Sequence, residues 1–90
     1  MLSIDNMPLP VPAALTWEQP APLTLTAQWP ALTAPQMGAL LGPTAGPFTL
    51  LCLDPLTGLE RSFPARRRAM RAQALGRGLY HLTVTFEETV

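Results

Sequence analysis

The sequence predicts a mainly β fold, a small antiparallel β-sandwich or partly open barrel with one short α-helix at about residues 34–41. Three observations carry this. The C-terminal GLYHLTVTFEETV alternates Tyr80, Leu82, Val84 and Phe86 with His81, Thr83, Thr85 and Glu87, the period of a half-buried strand. FTLLCLDPLTGLERSF sets two alternating runs on either side of a proline- and glycine-containing turn, the pattern of a β-hairpin. Helical spacing marks a single stretch, where Met37, Leu40 and Leu41 stand at i, i+3 and i+4.

Residues 1–22 read as a proline-rich extended N-terminal arm. Pro8, Pro10, Pro12, Pro20 and Pro22 exclude helix interior and central strand. Short strands fit Leu2–Asp5 and the region around Leu15–Gln19, and Leu9, Val11, Leu15 and Trp17 give the arm apolar anchors, so it is expected to be ordered and to make intersubunit contacts. Residues 23–90 form a single β domain. It opens with LTLTAQW, in which Leu23, Leu25, Ala27 and Trp29 alternate with Thr24, Thr26 and Gln28, and which Pro30 is expected to end.

The helix follows. Thr33 and Gln36 have capping-box spacing, Pro35 sits in the first turn, and Gly42-Pro43 stops the helix. Next come the hairpin strands: Phe48, Leu50 and Cys52 on one face, then Leu59, Arg61 and Phe63. Between them Pro55 presets φ and Gly58 takes a left-handed position. Residues 64–78 read as an arginine-rich loop before the final strand, with a helix over 65–75 carrying Arg67, Arg68 and Arg71 along one side as the alternative. The expected total is four or five strands, with a core of Trp29, Met37, Leu40, Phe48, Leu50, Tyr80, Leu82, Val84 and Phe86.

Ninety residues make one small domain, marginal without disulfides, metal or association. Cys52 is the sole cysteine, so an internal disulfide is excluded, and its apolar run marks it as a buried small hydrophobe. One cysteine and one histidine, His81, do not make a metal shell. Association is the remaining supplement, and composition favours it. With 48% hydrophobic and 13% charged residues and zero net charge, an isolated surface would be poorly solvated. The opening MLSIDNMPLP has no basic region and no long apolar run, so a soluble chain, made in the cytoplasm and not inserted in a membrane, is expected.

Charge is sharply segregated. Arg61, Arg66, Arg67, Arg68, Arg71 and Arg77 are all the basic residues, and they lie between 61 and 77, a segment of +6. Asp5, Glu18, Asp54 and Glu60 make residues 1–60 sum to −4, and Glu87 and Glu88 make residues 78–90 sum to −2. Such a molecule is complementary to copies of itself, and head-to-tail docking generates rings or stacks. The leading reading makes the six arginines intersubunit contacts, since the guanidinium fork binds carboxylates bidentately. The alternatives are a solvated loop and a nucleic-acid-binding module gripping phosphates. Against the latter, no aromatic residue interleaves the arginines, and the rest of the domain is acidic.

Enzyme parts are not evident. Cys52 and His81 have no third partner in the sequence, the carboxylates are scattered singly, and GPTAGP lacks the lysine and spacing of a phosphate loop. The expectation is no catalytic residue and no cofactor.

The order of the pieces carries a resemblance. MLSIDNMPLPVP is a short strand and proline-rich turn. W-P-A-L-T-A-P-Q-M-G-A-L-L leads into a short helix. G-P-F-T-L-L-C-L-D-P-L-T-G-L-E-R-S-F is the hairpin, and G-L-Y-H-L-T-V-T-F-E-E the closing strand. Over almost its whole length the chain resembles a family of small tail proteins of long-tailed bacteriophages. These share an opening M-L-x-I-(D/N), a tryptophan before L-(S/T)-x-x-(Q/D), F-T-V-x-(Y/F)-x-D-P-x-T-G, and a closing Y-x-L-x-F-x-E. The chain departs from them in a shorter link after the arm, and in RRRAMRAQALGRG where relatives carry a more mixed loop. The resemblance implies a structural component of the virion tail, in a three-fold or six-fold ring at the distal tail or baseplate hub. Its neighbours would be tail-tube, hub or baseplate proteins, with DNA contact minor and no enzyme activity or cofactor.

Overall fold

A computed structural model of the chain describes residues 2–5, 7–10, 12–18, 23–42, 46–53 and 57–89. The elements run β1 (Leu2–Ile4), β2 (Met7–Pro8), β3 (Ala14–Glu18), β4 (Thr24–Thr33), α1 (Ala34–Leu41), β5 (Phe48–Leu53), β6 (Glu60–Gly76) and β7 (Leu79–Glu88). All seven strands belong to one antiparallel sheet in the order β2-β1-β5-β6-β7-β4-β3. The fold is mainly β with one short helix, and the sheet does not close.

The described residues of the proline-rich arm pack on their own chain. Its strands take both margins of the sheet, β1 beside β5 and β3 beside β4. Between them Pro10 lies beside Trp29, whose indole Nε1–H donates to the Pro10 carbonyl at 2.8 Å. At the far margin Trp17 of β3 meets Phe63 of β6 edge-on, ring centroids 6.3 Å apart. In a flat sheet, with strands about 4.8 Å apart, three intervals would separate these strands by roughly 14 Å. The sheet therefore curls, as a partly open barrel does, and its concave face holds the core.

That face is read from the alternation. Leu25, Ala27 and Trp29 of β4, Leu50 and Cys52 of β5, and Leu82, Val84 and Phe86 of β7 are buried, joined by Leu2 and Ile4 of β1. Phe48 packs edge-on against Phe86 at 5.7 Å. Of the expected core, Trp29, Leu40, Phe48, Leu50, Leu82, Val84 and Phe86 are buried, whereas Met37 and Tyr80 are half-buried. Tyr80 stands opposite Ala74 on a part of β6 that no described residue covers, and Met37 packs against the core from its rim.

The helix occupies residues 34–41 with both halves of its capping box formed. The Gln36 N–H donates to Thr33 Oγ1 at 3.3 Å, and the Thr33 N–H donates to Gln36 Oε1 at 2.9 Å. Leu40 is its buried anchor, and the helix packs against β4 and β7.

Three expectations are corrected. The sheet has seven strands, against the four or five expected. β4 does not end at Pro30 but continues to Thr33, with an irregularity between Trp29 and Leu32; a residue without an N–H is tolerated at such a bulge because the ladder skips it. The segment 64–78 is not an arginine-rich loop. It is strand as far as Gly76 and a turn at Arg77–Gly78, so the arginine segment is neither loop nor helix. β7 offers it a continuous partner from Glu88 back to Leu79, and forming that ladder satisfies backbone groups that a loop would leave to water. Of the turn expected at Asp54–Gly58, Asp54, Pro55 and Leu56 lie outside the described residues, and Gly58 has the expected positive φ of 71°.

Candidate interaction surface

The arginine segment is organised by a bulge in β6. The register pairs Arg67 with Phe86 and Ala69 with Thr85, so Arg68 is an extra residue. Directly opposed residues share a face. Before the bulge, Phe63 and Ala65 point into the concave face, and both are buried. After it the phase switches: Met70, Ala72 and Ala74 oppose Val84, Leu82 and Tyr80 on the concave side. Arg71 and Gln73 oppose Thr83 and His81 on the convex side.

Four of the six arginines have partners within the chain. The Arg61 guanidinium lies 5.7 Å from the Trp17 ring centroid and 6.0 Å from that of Phe63, a cation–π position. Arg66 Nη2 donates to Glu87 Oε1 at 3.1 Å, and Arg68 Nε lies 3.8 Å from the other carboxylate oxygen. Arg67, on the concave side, donates from Nη1 to the Leu41 carbonyl at 3.2 Å. This supplies a donor and a positive charge to the C-terminal end of α1, where carbonyls lack helix partners. Arg71 and Arg77 have no ion pair or hydrogen bond among the described residues. Arg77 occupies the turn with a positive φ of 57°.

The six residues singled out from sequence are thus not one surface. Arg66 and Arg68 are brought together by Glu87, a partner the sequence does not flag because only the β6–β7 register puts it there. Arg61 and Arg67 pack within the chain, and Arg71 and Arg77 have no internal ion pair or hydrogen bond among the described residues.

Arg71, Gln73, His81 and Thr83 line a shallow convex cleft of about 220 Å³. A second crevice of about 150 Å³, between the arm and α1, is lined by Met7, Pro8, Leu9, Pro10, Gln36, Ala39 and Leu40, none of them titratable. Cys52 is buried on the concave side of β5, whereas His81 lies on the convex side of β7, so the fold does not bring them together. Among the described residues no group of three or more His, Cys, Asp or Glu side chains converges, and no helix is long and apolar enough to cross a membrane.

The larger feature is one that side-chain reading missed. β5 covers β6 only from Glu60 to Ala65, so from Arg66 to Gly76 the strand is laddered to β7 alone and its other edge is free among the described residues. Its concave side is uncovered as well: Met70 is 45% exposed, and Ala72 and Ala74 are exposed. At the margins of the sheet β3 and β2 each present a further edge that is free among the described residues. A long unpaired edge is a template for another strand. Comparison with known proteins finds no matching family model, curated protein or solved structure.

Proposed function

We propose that the chain is a non-enzymatic structural component of a bacteriophage tail, one copy in a three-fold or six-fold ring at the distal tail or baseplate hub. Subunit–subunit contacts hold it there, beside tail-tube, hub or baseplate proteins. The phage assignment rests on the order of motifs along the sequence. The assembly role is supported most by the eleven-residue run from Arg66 to Gly76, with one edge unpaired and its apolar side uncovered among the described residues. A small domain with 48% hydrophobic residues gains from covering that surface, and Arg71 and Arg77 suit carboxylates on a neighbour.

Electron microscopy of the purified full-length chain tests this reading, with closed rings of three or six copies expected. A chain that stays monomeric at high concentration overturns it. Tight binding to DNA that weakens steeply as salt rises would instead favour a nucleic-acid-binding module, to which Arg71 in its polar cleft would contribute.

A further inference from the structure

We propose that copies of this chain join by strand addition, the free edge of β6 in one copy pairing antiparallel with the free edge of β3 in the next. The inference rests on the ring-forming reading above and specifies its contact.

The first argument is direction. β6, β7, β4 and β3 alternate in sense, each antiparallel to the next. A fifth strand laid antiparallel on β3 runs the same way as the original β6. If that strand is β6 of a second copy, the two copies share one orientation and each uses a different edge. This is the head-to-tail relation that closes into a ring when the rotation permits.

The second argument is which backbone groups are available. Glu88 N–H donates to Leu23 O at 2.8 Å, and Thr89 N–H donates to Pro64 O at 2.9 Å. Antiparallel ladders alternate strictly. Counting along the registers, the backbone groups of Ala69, Arg71 and Gln73 face β7, and those of Met70, Ala72 and Ala74 face the free edge. By the same count, Thr16 and Glu18 face β4, and Leu15 and Trp17 face outward.

The third argument is side-chain register. The concave faces must continue, so Leu15 and Trp17 of one copy must share a side with Met70, Ala72 and Ala74 of the next. Among the registers that allow this with β3 opposite the Met70–Ala74 run, one opposes Glu18 to an arginine. It pairs Glu18 with Arg71, Trp17 with Ala72, Thr16 with Gln73 and Leu15 with Ala74. Large side chains then lie opposite alanines on the concave side, and an acid lies opposite one of the two arginines that lack an internal partner among the described residues. Joining β6 to β6 across a two-fold axis would instead set Arg66, Arg68, Arg71 and Arg77 of both copies along one ribbon, where like charges repel.

The test is disulfide trapping in the full-length chain. Thr16 and Gln73 would form a pair without direct backbone hydrogen bonds, with Cα atoms roughly 4.5 Å apart, inside disulfide range. Cys52 is 1% exposed and does not compete. Mild oxidation of Thr16→Cys/Gln73→Cys is expected to give covalent oligomers up to ring size, with neither single variant doing so. Ala72→Pro removes an N–H from the free edge only, where proline is tolerated; it is expected to keep the circular dichroism of the wild type and to lose association. Replacing Glu18→Arg or Arg71→Glu should weaken association at least tenfold, and the two together should restore it. Rings that assemble without the disulfide overturn the strand pairing and spare the ring. Cross-linking of Gln73→Cys alone overturns it in favour of a β6–β6 contact, and a monomer at every concentration overturns both readings.

Discussion

The two halves of β6 lie on one strand and meet different fates. From Glu60 to Ala65 it is laddered to β5, and Phe63 is 6% exposed beneath Trp17 and the arm. From Arg66 to Gly76 it is laddered to β7, and Met70, also on the concave side, is 45% exposed. Both are large apolar residues aimed at the same face. What differs is whether another element lies over them. The offset between β5 and β7 along β6 is the stagger a curling sheet requires, and in a seven-stranded sheet that stops short of closing it leaves one end of the longest strand bare. Burial here follows from topology more than from residue type, and the bare end is where a partner gains most.

The largest effect that tests this contrast is a deletion in the covered core set against one on the bare half. Phe86 is fully buried and meets Phe48 edge-on, so Phe86→Ala should cost about 3–5 kcal/mol. Met70→Ala, measured on the monomer, should fall within about 0.5 kcal/mol. Urea denaturation of both variants provides the check, and equal losses would erase the distinction.

Next in size is the turn that carries the bare half back into β7. Gly76 has a φ of +88°, and Gly78 one of +73°. A side chain in that region costs about 1–2 kcal/mol, so Gly76→Ala should lower stability by that amount. The space beside Gly76 is open, so the penalty comes from backbone conformation and not from a clash. Thr33→Ala, which removes the capping-box acceptor for the Gln36 N–H, should cost about 1 kcal/mol. Thermal unfolding resolves both. A Gly76→Ala change as mild as Met70→Ala would mean that the turn is not held in this geometry.

How far the sequence discloses this arrangement depends on whether local rules act alone. The helix at 34–41 is legible because Thr33, Pro35, Gln36 and Gly42 each carry a local signal. β7 and the Phe48–Leu53 strand are legible because their alternation is unbroken. β6 beyond Pro64 is not, because the bulge at Arg68 switches the phase, and an arginine run followed by alanines resembles a solvated loop. β1 falls where a short strand is expected, at Leu2–Ile4, whereas β2 is two residues long, too short for any period, and owes its place in the sheet to its pairing with β1. The arginine cluster is visible as charge. Its division into internal partners and free cations is not, since Glu87 becomes a partner only through strand register, and the free edges follow from topology alone.

The smallest expected effect bears on that division. Glu87 is the shared carboxylate for Arg66 and Arg68, whose side chains are 62% and 59% exposed. An exposed pair of this kind contributes only about 0.2–1 kcal/mol and is screened by salt. Glu87→Gln should therefore lower stability by no more than that in dilute buffer, and the difference from wild type should shrink as salt rises. Its effect on association should run the other way. Freeing two arginines adds cations beside the bare edge without altering Arg71 or the backbone groups of Met70, Ala72 and Ala74. If the neighbour's Glu18 meets Arg71 specifically, association should shift less than threefold in Glu87→Gln, against at least tenfold for Arg71→Glu. Sedimentation equilibrium at two salt concentrations separates the cases. A gain in Glu87→Gln as large as the loss in Arg71→Glu would mean that total charge, and not strand register, governs how copies of the chain meet.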